Sequence, residues 1–108
     1  MAKIERIIQR DFRQLLAVIE TGIVNGSASA SLEEASDFHD GDTRCSVRVF
    51  ERYSWTGGNR VSLSVTLFQN GDGPVHLSAI ATGGSQAMFF KVNTWGEEAF
   101  LEKLDELL

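Results

Sequence analysis

The chain has 108 residues, with ten Lys and Arg against fifteen Asp and Glu, a net charge of −5 and a pI near 4.9. That balance argues against a nucleic-acid partner, which needs a basic face to exchange for counterions, and the single Cys45 excludes an intramolecular disulfide. No apolar run approaches the roughly eighteen residues of a membrane helix and no export signal is apparent, so one small soluble domain in the cytoplasm is expected, with no membrane partner.

In chain order, Ile4, Ile7 and Ile8 fit either a strand or the start of a helix. Asp11 favours a short first strand followed by a helix, because with Gln14 it forms an N-terminal capping box. Phe12, Leu15, Leu16 and Ile19 then recur at helical spacing, which predicts a helix from Phe12 to about Thr21, ended by Gly22. Asn25-Gly26 is a turn signal. Beyond it Ala28, Ala30 and Leu32 alternate with serines and predict the second strand.

His39-Asp40-Gly41-Asp42 reads as a four-residue loop closed by Phe38 and Thr43. That closure opposes Leu32 to Val49 and Ala30 to Glu51 on an inner face, and Asp37 to Arg44 and Glu33 to Arg48 on an outer one. The run from Arg44 to Phe68 is the strongest strand signal in the chain, since Val61, Leu63, Val65 and Leu67 alternate with Ser62, Ser64 and Thr66. A three-residue Gly57-Gly58-Asn59 loop sets Tyr53 against Leu63, Glu51 against Val65 and Val49 against Leu67. Odd-numbered residues then face the core, with Glu51 among them. The stripe Arg44, Arg48, Arg52 falls outside, as solvated surface or as an anion-binding face in which Arg52 and Arg60 are the unpaired members.

After the turn at residues 69–74, Val75, Leu77, Ala79 and Ala81 predict another strand, registered by Leu67 opposite Val75, with His76 outside. Gly83-Gly84-Ser85-Gln86 breaks it, either as a corner or as a small anion nest. Residues 87–93 are expected to be extended. Thr94-Trp95-Gly96-Glu97 has the form of a capping box before a C-terminal helix carrying Phe100, Leu101, Leu104, Leu107 and Leu108.

The sum is an α+β domain of two layers, a mostly antiparallel sheet of about five strands with two helices on one face, in the order β-α-β-β-β-β-α. That order resembles the helix-grip domains and the half-repeat of the TATA-box-binding protein, a likeness of fold that carries no function by itself. The segments RVFERYS, TGGNRVSLSVTLF, GGSQAMFFKVNTWGEEAF and SASASLEEASDF resemble, over nearly the whole chain, a family of small bacterial (Firmicutes-type) proteins of unknown function. The resemblance implies a bacterial cytoplasmic protein. It supplies no catalytic residue.

Neither His39 nor His76 has a partner at metal-ligand spacing, and Cys45 sits among valines as a small core residue, so no metal, cofactor or nucleophile is expected. Two functions remain. The first is a non-catalytic binding or interaction module, paired as a homodimer through an outer sheet face on which Phe50 and Phe68 stand exposed. The second is a small-ligand pocket, with or without catalysis, between sheet and helices around Glu51 and Tyr53, where a carboxylate on an inner face needs a partner, an opening or a proton, unless a bulge turns Glu51 outward or Arg13 or Lys103 pairs with it.

Overall fold

The computed structural model describes residues 1–54, 59–83 and 90–108. Strand β1 (Ala2–Ile8) leads into α1 (Phe12–Gly26), then β2 (Ser31–Asp40), β3 (Thr43–Ser54), β4 (Asn59–Asn70), β5 (Val75–Gly83) and α2 (Phe90–Asp105). The strands form one antiparallel sheet in the order β1-β5-β4-β3-β2, which puts β4 in the middle. This is the α+β architecture and the element order that the sequence predicts.

Asp11 caps α1 as its spacing with Gln14 foretells, accepting the Gln14 N–H at 2.9 Å. The helix runs through Gly22 to Gly26, five residues beyond the expected Thr21, and buries Phe12, Leu15, Ile19 and Ile23 at helical spacing. Gly22 makes room for the chain just beyond α2: a Cβ there would come within 2.5 Å of the Leu107 Cδ2. From α2, Phe100, Leu101 and Leu104 join the core over Val61, Leu63, Val65 and Leu67 of β4 and Val75, Leu77, Ala79 and Ala81 of β5. Each fully buried Leu, Ile, Val or Phe contributes about 1.5–3 kcal/mol.

The odd-numbered residues of β4 and β5 point inward, as their alternation predicts, but every hairpin register differs from the sequence expectation. Leu67 faces Leu77, not Val75, a slip of two residues that preserves the face. In the β2–β3 hairpin Asp40 pairs with Thr43, so the turn is two residues, Gly41-Asp42. Gly41 takes φ +59°, which suits a tight turn with glycine at its first central position. Asp37 therefore faces Ser46, Arg44 faces His39 and Arg48 faces Ala35, which corrects the expected Asp37–Arg44 and Glu33–Arg48 pairs. Strand β2 begins at Ser31, so Ala28 and Ala30 precede it; Leu32 opposes Phe50 and Ser31 opposes Glu51.

The β3–β4 correction matters most. Ser54 pairs with Asn59 and Tyr53 with Arg60, which leaves a four-residue connection in place of three. An odd change in loop length reverses the face of the whole strand. Arg44, Ser46, Arg48, Phe50 and Arg52 lie on the helix side, and Val47, Val49, Glu51 and Tyr53 on the other. At the C-terminal end, the extended run expected to reach Asn93 is helical from Phe90, and Thr94 and Glu97 lie inside α2. Glu97 is buried and accepts the Gly83 N–H at 2.7 Å, tying α2 to the end of β5. Gly84, Ser85 and Gln86 of the nest, and residues 87–89, lie outside the described residues.

Candidate functional site

On the helix side, β3 sends an arginine inward at every fourth residue with Phe50 between the last two. Phe50, expected on the exposed face, is 0% accessible and belongs to the core. Arg48 is also buried, and its donors are answered closely. Nε donates to Glu20 Oε2 of α1 at 2.6 Å, Nη1 to Asp37 Oδ1 of β2 at 3.0 Å, and Nη1 again to the Val47 carbonyl at 3.0 Å. Ser46 Oγ donates to the same Asp37 oxygen at 2.6 Å. Burial alone would lower the Arg48 pKa, but the hydrogen bonds with Glu20 and Asp37 outweigh it and the net shift is upward. The Asp37 carboxyl is held below its ordinary range by the Ser46 hydroxyl first and the Arg48 guanidinium second. One charged cluster thus joins α1, β2 and β3.

The flanking arginines rest on rings. Arg44 lies 5.3 Å from the Phe12 centroid and Arg52 lies 4.7 Å from that of Phe100, both within cation–π range. Arg52 Nη1 donates to Ser27 Oγ at 2.8 Å, and burial lowers its pKa.

The other face of the sheet is covered by neither helix. Directly opposed residues of neighbouring strands share a face, so the pairings Phe38–Cys45, Cys45–Phe68, Phe68–His76 and His76–Ile7 draw one row across all five strands. Phe38 is 65% exposed, Phe68 42% and Ile7 67%. The Phe68 and His76 rings are tilted against each other with centroids 6.3 Å apart. A concavity of about 420 Å³ opens at the β1 end of the row, lined by Ile7, Thr66, Phe68, His76 and Ser78 among others. The next row, Ser36, Val47, Thr66, Ser78 and Glu5, is more polar.

The remaining candidates fall on the same outer face, near its opposite end. Glu51 accepts from Arg60 Nε at 3.0 Å and from Ser62 Oγ at 3.2 Å. Tyr53 stands opposite Arg60, and its backbone N–H donates to Ser29 Oγ at 2.9 Å. Glu51 and Tyr53 therefore line no space between sheet and helices, and Arg60 is paired, which corrects the expected pocket and half of the expected free pair. Among the described residues, no three His, Cys, Asp or Glu side chains converge as metal ligands. No helix among the described residues is long and apolar enough to cross a membrane.

Sequence reasoning missed Phe38 and Ile7 as surface residues and missed that Arg48 is buried and met by Glu20 and Asp37. Phe38 offered a signal, because a phenylalanine between Asp37 and His39 in an acidic edge strand has no core of its own to join. Searches against curated proteins and solved structures returned no match. A family model described as "Family of unknown function (DUF6054)" matches residues 1–108, and the chain belongs to that family.

Proposed function

We propose that this protein is a non-catalytic interaction module of the bacterial cytoplasm that pairs with a second copy of itself through the uncovered sheet face. The five-strand row carries the proposal. Its centre, Phe68, lies on the middle strand, its β2 end is the projecting Phe38, and its β1 end is the hollow beside Ile7 and His76. A two-fold axis along β4 through Phe68 lays Phe38 of each copy over the hollow of the other, the self-complementarity that an isologous contact requires.

The dimensions suit a stable contact. The 12 residues of β4 and the five-strand width present roughly 800 Å², from ~3.3 Å per residue and ~4.8 Å between strands, against about 800 Å² per partner in a standard interface. The accessible surface of 6416 Å² exceeds the ~5,900 Å² of a compact monomer of this mass. The radius of gyration, 14.2 Å, likewise exceeds the ~13 Å expected for this length. The non-catalytic part rests on how the carboxylates are used, since Glu20, Asp37 and Glu51 are each tied to an arginine. The resemblance to small bacterial proteins and the acidic balance support the setting.

Replacing Phe38 and Phe68 together with serine tests it by native mass spectrometry. The wild type is expected to be dimeric, and the double variant monomeric with an undiminished circular dichroism spectrum. A folded double variant that stays dimeric would remove the outer face as the contact.

A further inference from the structure

Arg48 and Arg52 leave the same strand on the same side, four residues apart, and are treated in opposite ways. Arg48 is met by two carboxylates. Arg52 is half-buried yet, among the described residues, meets no carboxylate, and the stretches outside the description contain no Asp or Glu in sequence. A guanidinium has five N–H donors, and the hydrogen bond from Nη1 to Ser27 Oγ uses one. Phe100 supports it from one side.

A desolvated cation without a counter-charge is costly unless something else supplies the charge. Ser27 is the C-cap of α1, where helix carbonyls end, and the partial negative charge of a helix C-terminus offsets only part of a full cation. Ser27 points to the rest of the answer, because a hydroxyl that accepts from Arg52 still has its own proton to donate. Arginine fork and serine hydroxyl together are a donor set for an oxygen anion.

We propose that Arg52, with Ser27, forms a binding site for an oxyanion group, the carboxylate or phosphate of a small molecule, where the C-terminal end of α1 meets β3 and α2. The site lies on the opposite side of the sheet from the Phe38–Ile7 row and is independent of dimer formation.

Titration of the protein with inorganic phosphate and, separately, with acetate, at ionic strength held constant with chloride, tests the site through Arg Nε–Hε resonances in heteronuclear NMR. The wild type is expected to show a saturable shift of the Arg52 resonance with at least one anion; which one responds assigns the ligand class. Arg52→Gln is expected to lose at least tenfold in affinity, read on the neighbouring backbone amides, while its ligand-free melting temperature stays the same or rises. Ser27→Ala is expected to weaken binding less, and Arg60→Gln not at all. Arg52→Lys keeps the charge without the planar fork, so it is expected to fold even if Arg52→Gln does not, and to bind several-fold more weakly. The proposal is overturned by a wild type with no saturable response to either anion, by full affinity in Arg52→Gln, or by full affinity in Arg52→Lys where Arg52→Gln does not fold. The same titrations on the Phe38→Ser, Phe68→Ser variant are expected to give the wild-type response, so failure of the dimer and failure of the site are read separately.

Discussion

Arg48 carries a full charge into the layer between sheet and α1, and its two acids do not share its depth. Its side chain is 8% exposed, whereas Glu20 is 34% and Asp37 60% exposed. The two ways of breaking the cluster therefore differ. Glu20→Gln with Asp37→Asn strands the buried cation and is expected to cost about 3 kcal/mol in denaturant unfolding. Arg48→Met leaves acids that can turn to water and is expected to cost less than about 1.5 kcal/mol. The pH dependence follows from Asp37. Because its folded pKa is depressed, its contribution is present above the ordinary value near 3.8 and is lost as pH falls through the lower, folded value. In Ser46→Ala, which removes the largest cause of the depression, the acid loss in melting temperature is expected to be smaller and complete at a higher pH. This cluster was hidden from the sequence for a physical reason. Alternation reports which residues differ along a strand, and in β3 the charged side is the buried one because Glu20, Asp37, Phe12 and Phe100 compensate its arginines.

At the scale of elements, what the sequence showed well was what local chemistry decides: the Asp11 cap, the odd-numbered inner faces of β4 and β5, and the order of all seven elements. Registers were less legible, since a hairpin's pairing depends on loop length, and one residue more or less reverses a face. The closing pair Ser54–Asn59 and the two-residue Gly41-Asp42 turn set these faces. Glu51 and Phe50 exchanged sides as a result, and the expected pocket went with them. Packing of Leu107 against α1 offers a test that local propensity alone would miss. Gly22→Ala is expected to gain about 1 kcal/mol of helix propensity when Leu107 is already alanine, and less in the native background, where the new methyl must displace the Leu107 side chain. A double-mutant cycle by thermal unfolding measures that difference. Equal gains in both backgrounds would mean that the Leu107 side chain does not rest on Gly22.

For the whole molecule, the arrangement of layers decides which face the proposed pairing would use. The helices cover one side of the sheet and seal it with a core that runs from Phe12 to Leu104, while the other side keeps Phe38, Phe68 and Ile7 in a row against solvent. Five strands covered by helices on one side only form an extended body, 46 Å along its longest axis against 24 and 22 Å along the others. Face-to-face packing is a common way for two antiparallel sheets to cover apolar residues that one sheet leaves exposed. Sedimentation equilibrium of the wild-type protein over a wide concentration range is the most direct measurement of that pairing. A concentration-dependent rise to twice the 11.9 kDa chain mass, with no larger species, is the expected result. A single species at 11.9 kDa throughout the range would contradict it.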